Sequence, residues 1–220
     1  MTARAPADIR LIAFDLDGTL VGGTIFVWQT LHEYFGSDPR RRAQAREDYF
    51  AGRISYADWF ANDLELLAEQ GADRARMLDC FDSLALTPGA AETLDALAAR
   101  GYVLTVISGS LDLLLEHLLP GAPFSHVLIN RLRFDSAGRI AGGEPTPYDL
   151  AHKAAGLAEL ARREDLGLQQ CAFVGDNTND LEAMRRAGFA VGVNVKHPDV
   201  RAVADCVIEG PDLRALLGVS

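Results

Sequence analysis

Short apolar runs alternate along most of this chain with longer stretches in which apolar residues recur every three or four positions. The runs Ile9–Asp15, Val103–Ile107, Val127–Asn130, Cys171–Gly175, Ala190–Val193 and Cys206–Ile208 predict buried strands. Leu111–Leu119, stopped by Pro120-Gly121, and Asp149–Arg163 predict helices. Thr87-Pro88 predicts an N-cap with proline at the first helical position, and Gly101 closes that helix. Arg131–Phe134, the turn Asp135-Ser136-Ala137-Gly138 and Arg139–Ala141 predict a small hairpin. Apolar strands alternating with helices predict an α/β fold with a mainly parallel sheet and helices on both faces. Ligands in such folds bind beyond the carboxyl ends of the strands.

Residues Val21–Leu86 break this alternation. Their segments Ile25–Phe35, Arg40–Ala51, Tyr56–Gln70 and Asp73–Phe81 have helical periodicity and no intervening strand. They hold ten of the seventeen aromatic residues, enough to predict a small helical unit with its own core. Packing is the ordinary use of such aromatics, and one or two are expected to face a pocket.

A chain of 220 residues can bury a substantial core, as one large domain or a domain with an insertion. The formal charge of -10 argues against a nucleic-acid surface, which needs Lys and Arg. An acidic protein can still bind an anion where a metal and a few donors are focused in one cleft. Cys80, Cys171 and Cys206 are too scattered for zinc and too few for a disulfide framework, which points to a reducing compartment. Met1–Arg10 lacks the apolar segment of a signal peptide, and no apolar run is long enough to span a bilayer. A cytoplasmic protein without a membrane partner is the expectation.

Three polar clusters each follow a predicted strand. They are Asp15-Leu16-Asp17-Gly18-Thr19, Ser108-Gly109-Ser110, and Gly175-Asp176-Asn177-Thr178-Asn179-Asp180. In a parallel sheet all three lie at the same edge. Each has a simpler structural use, as a turn, a helix cap or a capped helix start. An EF-hand needs glutamate at its twelfth position, but counting from Asp15 gives Phe26 and from Asp176 gives Ala187. Asp15 and Asp17 sit close enough to repel unless a cation or a shared proton relieves them, which suits a metal-assisted site.

These residues resemble the haloacid dehalogenase superfamily, and within it the phosphoserine-phosphatase-like branch. Asp15-Leu16-Asp17-Gly18-Thr19-Leu20 matches the first motif of that family, and Ser108 in Val106-Ile107-Ser108-Gly109 the second. Lys153 falls where the third motif places its lysine, and Gly175-Asp176-Asn177-Thr178-Asn179-Asp180-Leu181 looks like the fourth. The resemblance implies a three-layer, Rossmann-like core over residues 1–20 and 87–220, with residues 21–86 inserted as a helical cap. It also implies a magnesium-dependent phosphomonoester hydrolase acting on a small molecule through an aspartyl-phosphate. Asp15 is then the nucleophile and Asp17 the general acid and base. Mg²⁺ would be held by Asp15, the backbone carbonyl of Asp17, and Asp176. Asp180 would orient a neighbouring donor or water. Ser108, Gly109 and Lys153 would bind the phosphoryl oxygens, with Asn179 adding a donor to phosphate or substrate.

The chain departs from phosphoserine phosphatases in two places. Those enzymes carry a glutamate soon after the first motif, where this chain reads Val21-Gly22-Gly23-Thr24-Ile25. They also carry a cap arginine, where this chain has Ala61, with Arg46 and Arg53 as candidate substitutes. The chemistry is therefore expected to be shared more closely than the substrate. Transfer to an acceptor alcohol, mutase chemistry and a non-catalytic metal- and phosphate-binding module are the alternatives. Retention of Asp15, Asp17 and Lys153 argues against the last.

Overall fold

Every residue of the first strand, β1 (Leu11–Phe14), is buried, and its side chains alternate between two cores. In the computed structural model, which describes residues 5–219, the chain continues through β2 (Val21–Gly22) into four helices. These are α1 (Val27–Phe35), α2 (Pro39–Phe50), α3 (Tyr56–Glu69) and α4 (Arg74–Phe81). β3 (Ala85–Leu86) then pairs antiparallel with β2, so the four helices leave and re-enter the chain through a two-stranded ribbon. The remainder is α5 (Ala90–Ala99), β4 (Val103–Leu111), α6 (Asp112–Leu118), β5 (Phe124–Phe134), β6 (Ile140–Glu144), α7 (Lys153–Arg163), β7 (Cys171–Gly175), α8 (Leu181–Arg186), β8 (Phe189–Val193), α9 (Pro198–Val203) and β9 (Cys206–Ile208). The start of Met1–Arg10, read above for a leader, lies outside the described residues. No helix among the described residues is long and apolar enough to cross a membrane.

Among the described residues the main sheet has seven strands in the order β6-β5-β4-β1-β7-β8-β9, all parallel except β6. Ile12 and Phe14 point into a core shared with Leu94 and Leu97 of α5. Leu11 and Ala13 point into the other, with Leu157 and Leu160 of α7. The three-layer expectation is therefore met, and Asp15, one residue on, continues on the α7 side.

The strand predicted over Val103–Ile107 runs on to Leu111 as β4, so Ser108-Gly109-Ser110 lies within its last residues and not after it. Other predicted elements change as well. Val127–Asn130 and the hairpin arm Arg131–Phe134 form one strand, β5, whose first half pairs with β4 and second half with β6. No turn residue separates Asn130 from Arg131, so nothing ends the strand there. The helix predicted from Thr87-Pro88 begins only at Ala90, because Gly89 adopts a left-handed φ of 75°. The Thr87 hydroxyl donates instead to the Thr19 carbonyl at 2.7 Å, tying the ribbon to the first polar loop. The helix predicted over Asp149–Arg163 opens with a separate 3₁₀ turn, Leu150–His152, in which Leu150 has φ 51°.

Phe173, fully buried in the middle of β7, anchors the α7-side core. Phe173→Ala is expected to cost ~3–5 kcal/mol, measured by urea unfolding. A loss below about 1 kcal/mol would contradict the packing described.

Candidate active site

β1 is in register with β4 and β7, Phe14 lying level with Val106 and Val174, so the polar residues that follow emerge side by side. Asp15 is held at the strand end by its amide, which donates to the Val174 carbonyl at 3.0 Å. Lys153, the first residue of α7, is fully buried and places its ammonium 2.8 Å from Asp15 Oδ1 and 2.7 Å from Asp180 Oδ1. Burial alone would push this lysine down, but Asp15, Asp180 and Asp149 around it hold its pKa above the ordinary value. Asp180 Oδ2 accepts from the amides of Asp176 and Asn177 at 3.0 and 3.2 Å, which folds the fourth-motif loop around it.

Asp17 lies beside this chain but has different partners. Its Oδ2 accepts from the Val27 amide at the start of α1 at 2.6 Å, and its Oδ1 from the Ser110 hydroxyl at 2.7 Å. Burial, with repulsion from Asp15, outweighs these donors and raises its pKa to about 7. Such a carboxyl can both give and take a proton near neutrality.

One carboxylate oxygen from each of Asp15, Asp176 and Asp180 lies within 4.8 Å of the others. Asp176 Oδ2 is buried and has no hydrogen-bond partner, an arrangement that is costly unless a cation or proton is present. Both oxygens of Asp180 are already engaged by Lys153 and the two amides. The available ligands are therefore Asp15 and Asp176, and two carboxylates completed by waters and a phosphate oxygen is a normal magnesium set. The residues fit that ion. Gly18, with φ 80°, is required here, since a Cβ would collide with the Asp176 carboxylate.

The helical insertion closes over these residues. Trp28 Nε1 donates to the Gly109 carbonyl at 2.9 Å, and Asn130 Nδ2 donates to the same carbonyl at 2.6 Å. The Tyr56 hydroxyl donates to Asp149 Oδ2 at 2.9 Å and accepts from Asn130 Nδ2 at 3.1 Å. Between the layers is a cavity of about 480 Å³ lined by Asp15, Asp17, Ser108, Gly109 and Asn179 at one end and by helical-insertion residues at the other. Asn179 Oδ1 is buried there without a partner.

All eight residues singled out from the sequence thus gather at one sheet edge. Ser110, Asp149, Asn130, Tyr56 and the Val27 amide were not among them. Asp149, read from the sequence only as the first residue of a helix, caps Leu150 at 2.6 Å with one oxygen and accepts from Tyr56 with the other. The two departures are also resolved in space. Thr24 is buried, its hydroxyl 2.8 Å from that of Thr30, and Ala61 is exposed. Arg53 is exposed and bonded to Asp48, whereas Arg46 lines the cavity.

A family model described as haloacid dehalogenase-like hydrolase matches residues 9–188. Phosphoserine phosphatase SerB2 of Mycobacterium tuberculosis is 29% identical over 94% of this chain and 49% of its own length. Phosphoserine phosphatase of Methanocaldococcus jannaschii is 27% identical over 94% of this chain and 96% of its own. The chain thus spans about half the length of the first relative and nearly all of the second. A substrate-bound phosphoserine phosphatase complex superposes with TM-score 0.73 at 25% identity, covering 96% of this chain and 97% of the other. A phospho-aspartyl intermediate analogue of phosphoserine phosphatase gives 0.72 at 26%, covering 96% and 98%. The chain belongs to the haloacid dehalogenase-like hydrolase family. The Mycobacterium and Methanocaldococcus relatives are both phosphoserine phosphatases.

The raised carboxyls fix the sign of a pH effect. Asp17, and Asp176 at about 8 from burial and repulsion by Asp15, bind protons in the folded state that they release when unfolded. Their contribution to stability is complete below pH ~4 and is lost as pH rises through 7 to 8. With EDTA, the melting temperature is expected to fall between pH 5 and pH 8. Added Mg²⁺ should raise it more at pH 8, where protons compete less for Asp176 than at pH 5. Equal Mg²⁺ shifts at both pH values would contradict the ligand set.

Proposed function

We propose that this protein hydrolyses small-molecule phosphomonoesters with Mg²⁺, Asp15 forming an aspartyl-phosphate. The observation that carries the reading is the buried Asp15–Lys153–Asp180 chain opening onto a cavity that also contains Asp17 and Ser108. Lys153, the Ser108 hydroxyl and the Gly109 backbone bind the phosphoryl oxygens, and Asn179 adds a donor. Fixed donors suit phosphoryl transfer, where charge on those oxygens must be stabilised throughout. The Gly109 peptide is fixed because two donors hold its carbonyl.

Asp15 attacks phosphorus as the bond to the ester oxygen breaks. Asp17, protonated near neutrality, gives its proton to that leaving oxygen. The resulting carboxylate then takes a proton from the water that attacks the aspartyl-phosphate, releasing phosphate and regenerating Asp15. Asp15, Asp176 and the backbone carbonyl of Asp17 would hold Mg²⁺, whose charge neutralises phosphoryl oxygens and relieves repulsion among the carboxylates. Asp180 orients Lys153 and the Asp176 loop. Three buried free cysteines fit a reducing, cytoplasmic setting.

Asp15→Asn is expected to lower kcat by about a thousand-fold or more while circular dichroism shows the fold intact. Near-normal turnover by that variant would sink the mechanism. EDTA should abolish wild-type turnover and Mg²⁺ restore it. Asp17→Asn should slow alkyl phosphates more than p-nitrophenyl phosphate, whose leaving group needs no proton; equal slowing of both would remove Asp17 from the role of acid.

A further inference from the structure

The far end of the cavity is built from the helical insertion. Phe26, Trp28, Phe50, Tyr56, Trp59 and Phe60 line it. Trp28 and Tyr56 use their polar atoms to bond the sheet domain, which leaves ring surface facing the space. Phe26 and Phe50 are 41% and 60% exposed, so neither is consumed by packing. Trp59 Nε1 is buried without an acceptor. A volume of about 480 Å³ falls within the range of sites that enclose a ring-sized body, and far exceeds what a three-carbon zwitterion fills.

Two arginines one helical turn apart on α2, Arg42 and Arg46, also line this end. Most arginines of the chain meet a carboxylate or a backbone carbonyl, among them Arg41, Arg53, Arg76 and Arg139. Arg42 and Arg46 have no hydrogen bond or ion pair among the described residues; Arg46 only lies over the Phe50 ring, 5.1 Å from its centroid. Burial holds the Arg42 guanidinium below its ordinary value, with Asp63 and Glu33 opposing. Asp63 lines the same wall and is itself 3.1 Å from His32 Nε2. On the sheet-domain side Arg185 and Glu182 of α8 also line the cavity, 4.0 Å apart. Arg42 and Arg46 against Asp63 leave the insertion end of the lining positive, opposite the carboxylates Asp15 and Asp17.

We propose, resting on the phosphomonoester hydrolase reading, that the leaving group of the substrate is an aromatic body bearing a second anionic group. The rings hold the body and Arg42 and Arg46 bind the distal anion, a carboxylate or a second phosphate. The phosphoryl group then meets Asp15 while the opposite charge pattern sets the orientation of the molecule in the cavity. A small amino-acid ester would leave the rings uncovered and find no carboxylate at the Thr24 position.

Both tryptophans of the chain, Trp28 and Trp59, line the cavity, so binding can be read by their fluorescence without any turnover. Non-hydrolysable phosphonates are titrated into the wild-type protein with Mg²⁺. The set is benzylphosphonate, 4-carboxybenzylphosphonate, p-xylylenediphosphonate and the phosphonate analogue of O-phosphoserine. The expected result is that at least one of the two doubly anionic aryl ligands binds about ten-fold tighter than benzylphosphonate, and all aryl ligands bind tighter than the phosphoserine analogue. Which of the two is tighter identifies the distal anion. Arg42→Met combined with Arg46→Met should erase that ten-fold advantage. Equal affinity with and without the second anion, or tightest binding of the phosphoserine analogue, would overturn the assignment. The corresponding esters are assayed in parallel. Binding in the expected order with no ester turned over would overturn the hydrolase reading and leave the ligand class standing. Phosphoserine turnover without aryl preference would do the reverse.

Discussion

One buried ammonium organises the acidic end of this molecule. Asp15, Asp17, Asp149, Asp176 and Asp180 are all packed at the carboxyl edge of the sheet, where each ionised carboxylate carries a desolvation cost of several kcal/mol. Lys153 bonds directly to only two of them. The rest must be balanced by protons or by a cation, and Asp17 and Asp176 are raised accordingly. The site is therefore poised for both kinds of partner that phosphoryl transfer needs, a divalent cation and an acid that holds its proton near neutrality. Removing Lys153 would leave Asp15 and Asp180 buried without their shared cation, a break that typically costs 3–5 kcal/mol, roughly. Stability and chemistry thus rest on the same contact.

The strand alternation of β1 explains why Lys153 can serve. Leu11, Ala13 and Asp15 share one side of the sheet, and α7 packs against that side through Leu157 and Leu160. The first residue of α7 is then brought to the strand end without a long detour. The 3₁₀ turn at Leu150–His152, entered through a left-handed Leu150, sets where α7 begins. That strained residue stands between Asp149, which meets the insertion, and Lys153, which meets Asp15. Backbone strain at such a junction persists only where its surroundings enforce it.

Much of this was legible in the sequence, for a physical reason. Apolar runs report strands, and polar clusters at the carboxyl ends of parallel strands must share an edge, so the pattern alone brings Asp15, Ser108 and Asp176 together, although Ser108 lies within the end of β4 and not after it. The family resemblance added Lys153, which on its own reads as a solvated helix charge. What was hidden depends on pairing across long separations. Ser110 reaches Asp17, and Tyr56 reaches Asp149, each across 93 residues. No local pattern distinguishes a serine that caps a helix from one that holds a buried carboxyl such as Asp17. Likewise Thr87 has the chemistry of an N-cap, and only the left-handed Gly89 diverts its hydroxyl to Thr19.

The helical insertion does more than cover the site. Asp17 is gripped on one oxygen by Val27, the first residue of α1, and on the other by Ser110 of the sheet domain. The Gly109 carbonyl is likewise shared between Trp28 of α1 and Asn130 of β5. The proposed acid and the proposed phosphoryl cradle are therefore each held by one donor from either side of the cavity. Any leaving group that displaces α1 disturbs both at once. Selection of the leaving group and positioning of the proton that it must receive are consequently one structural property, set by how α1 seats against the sheet edge.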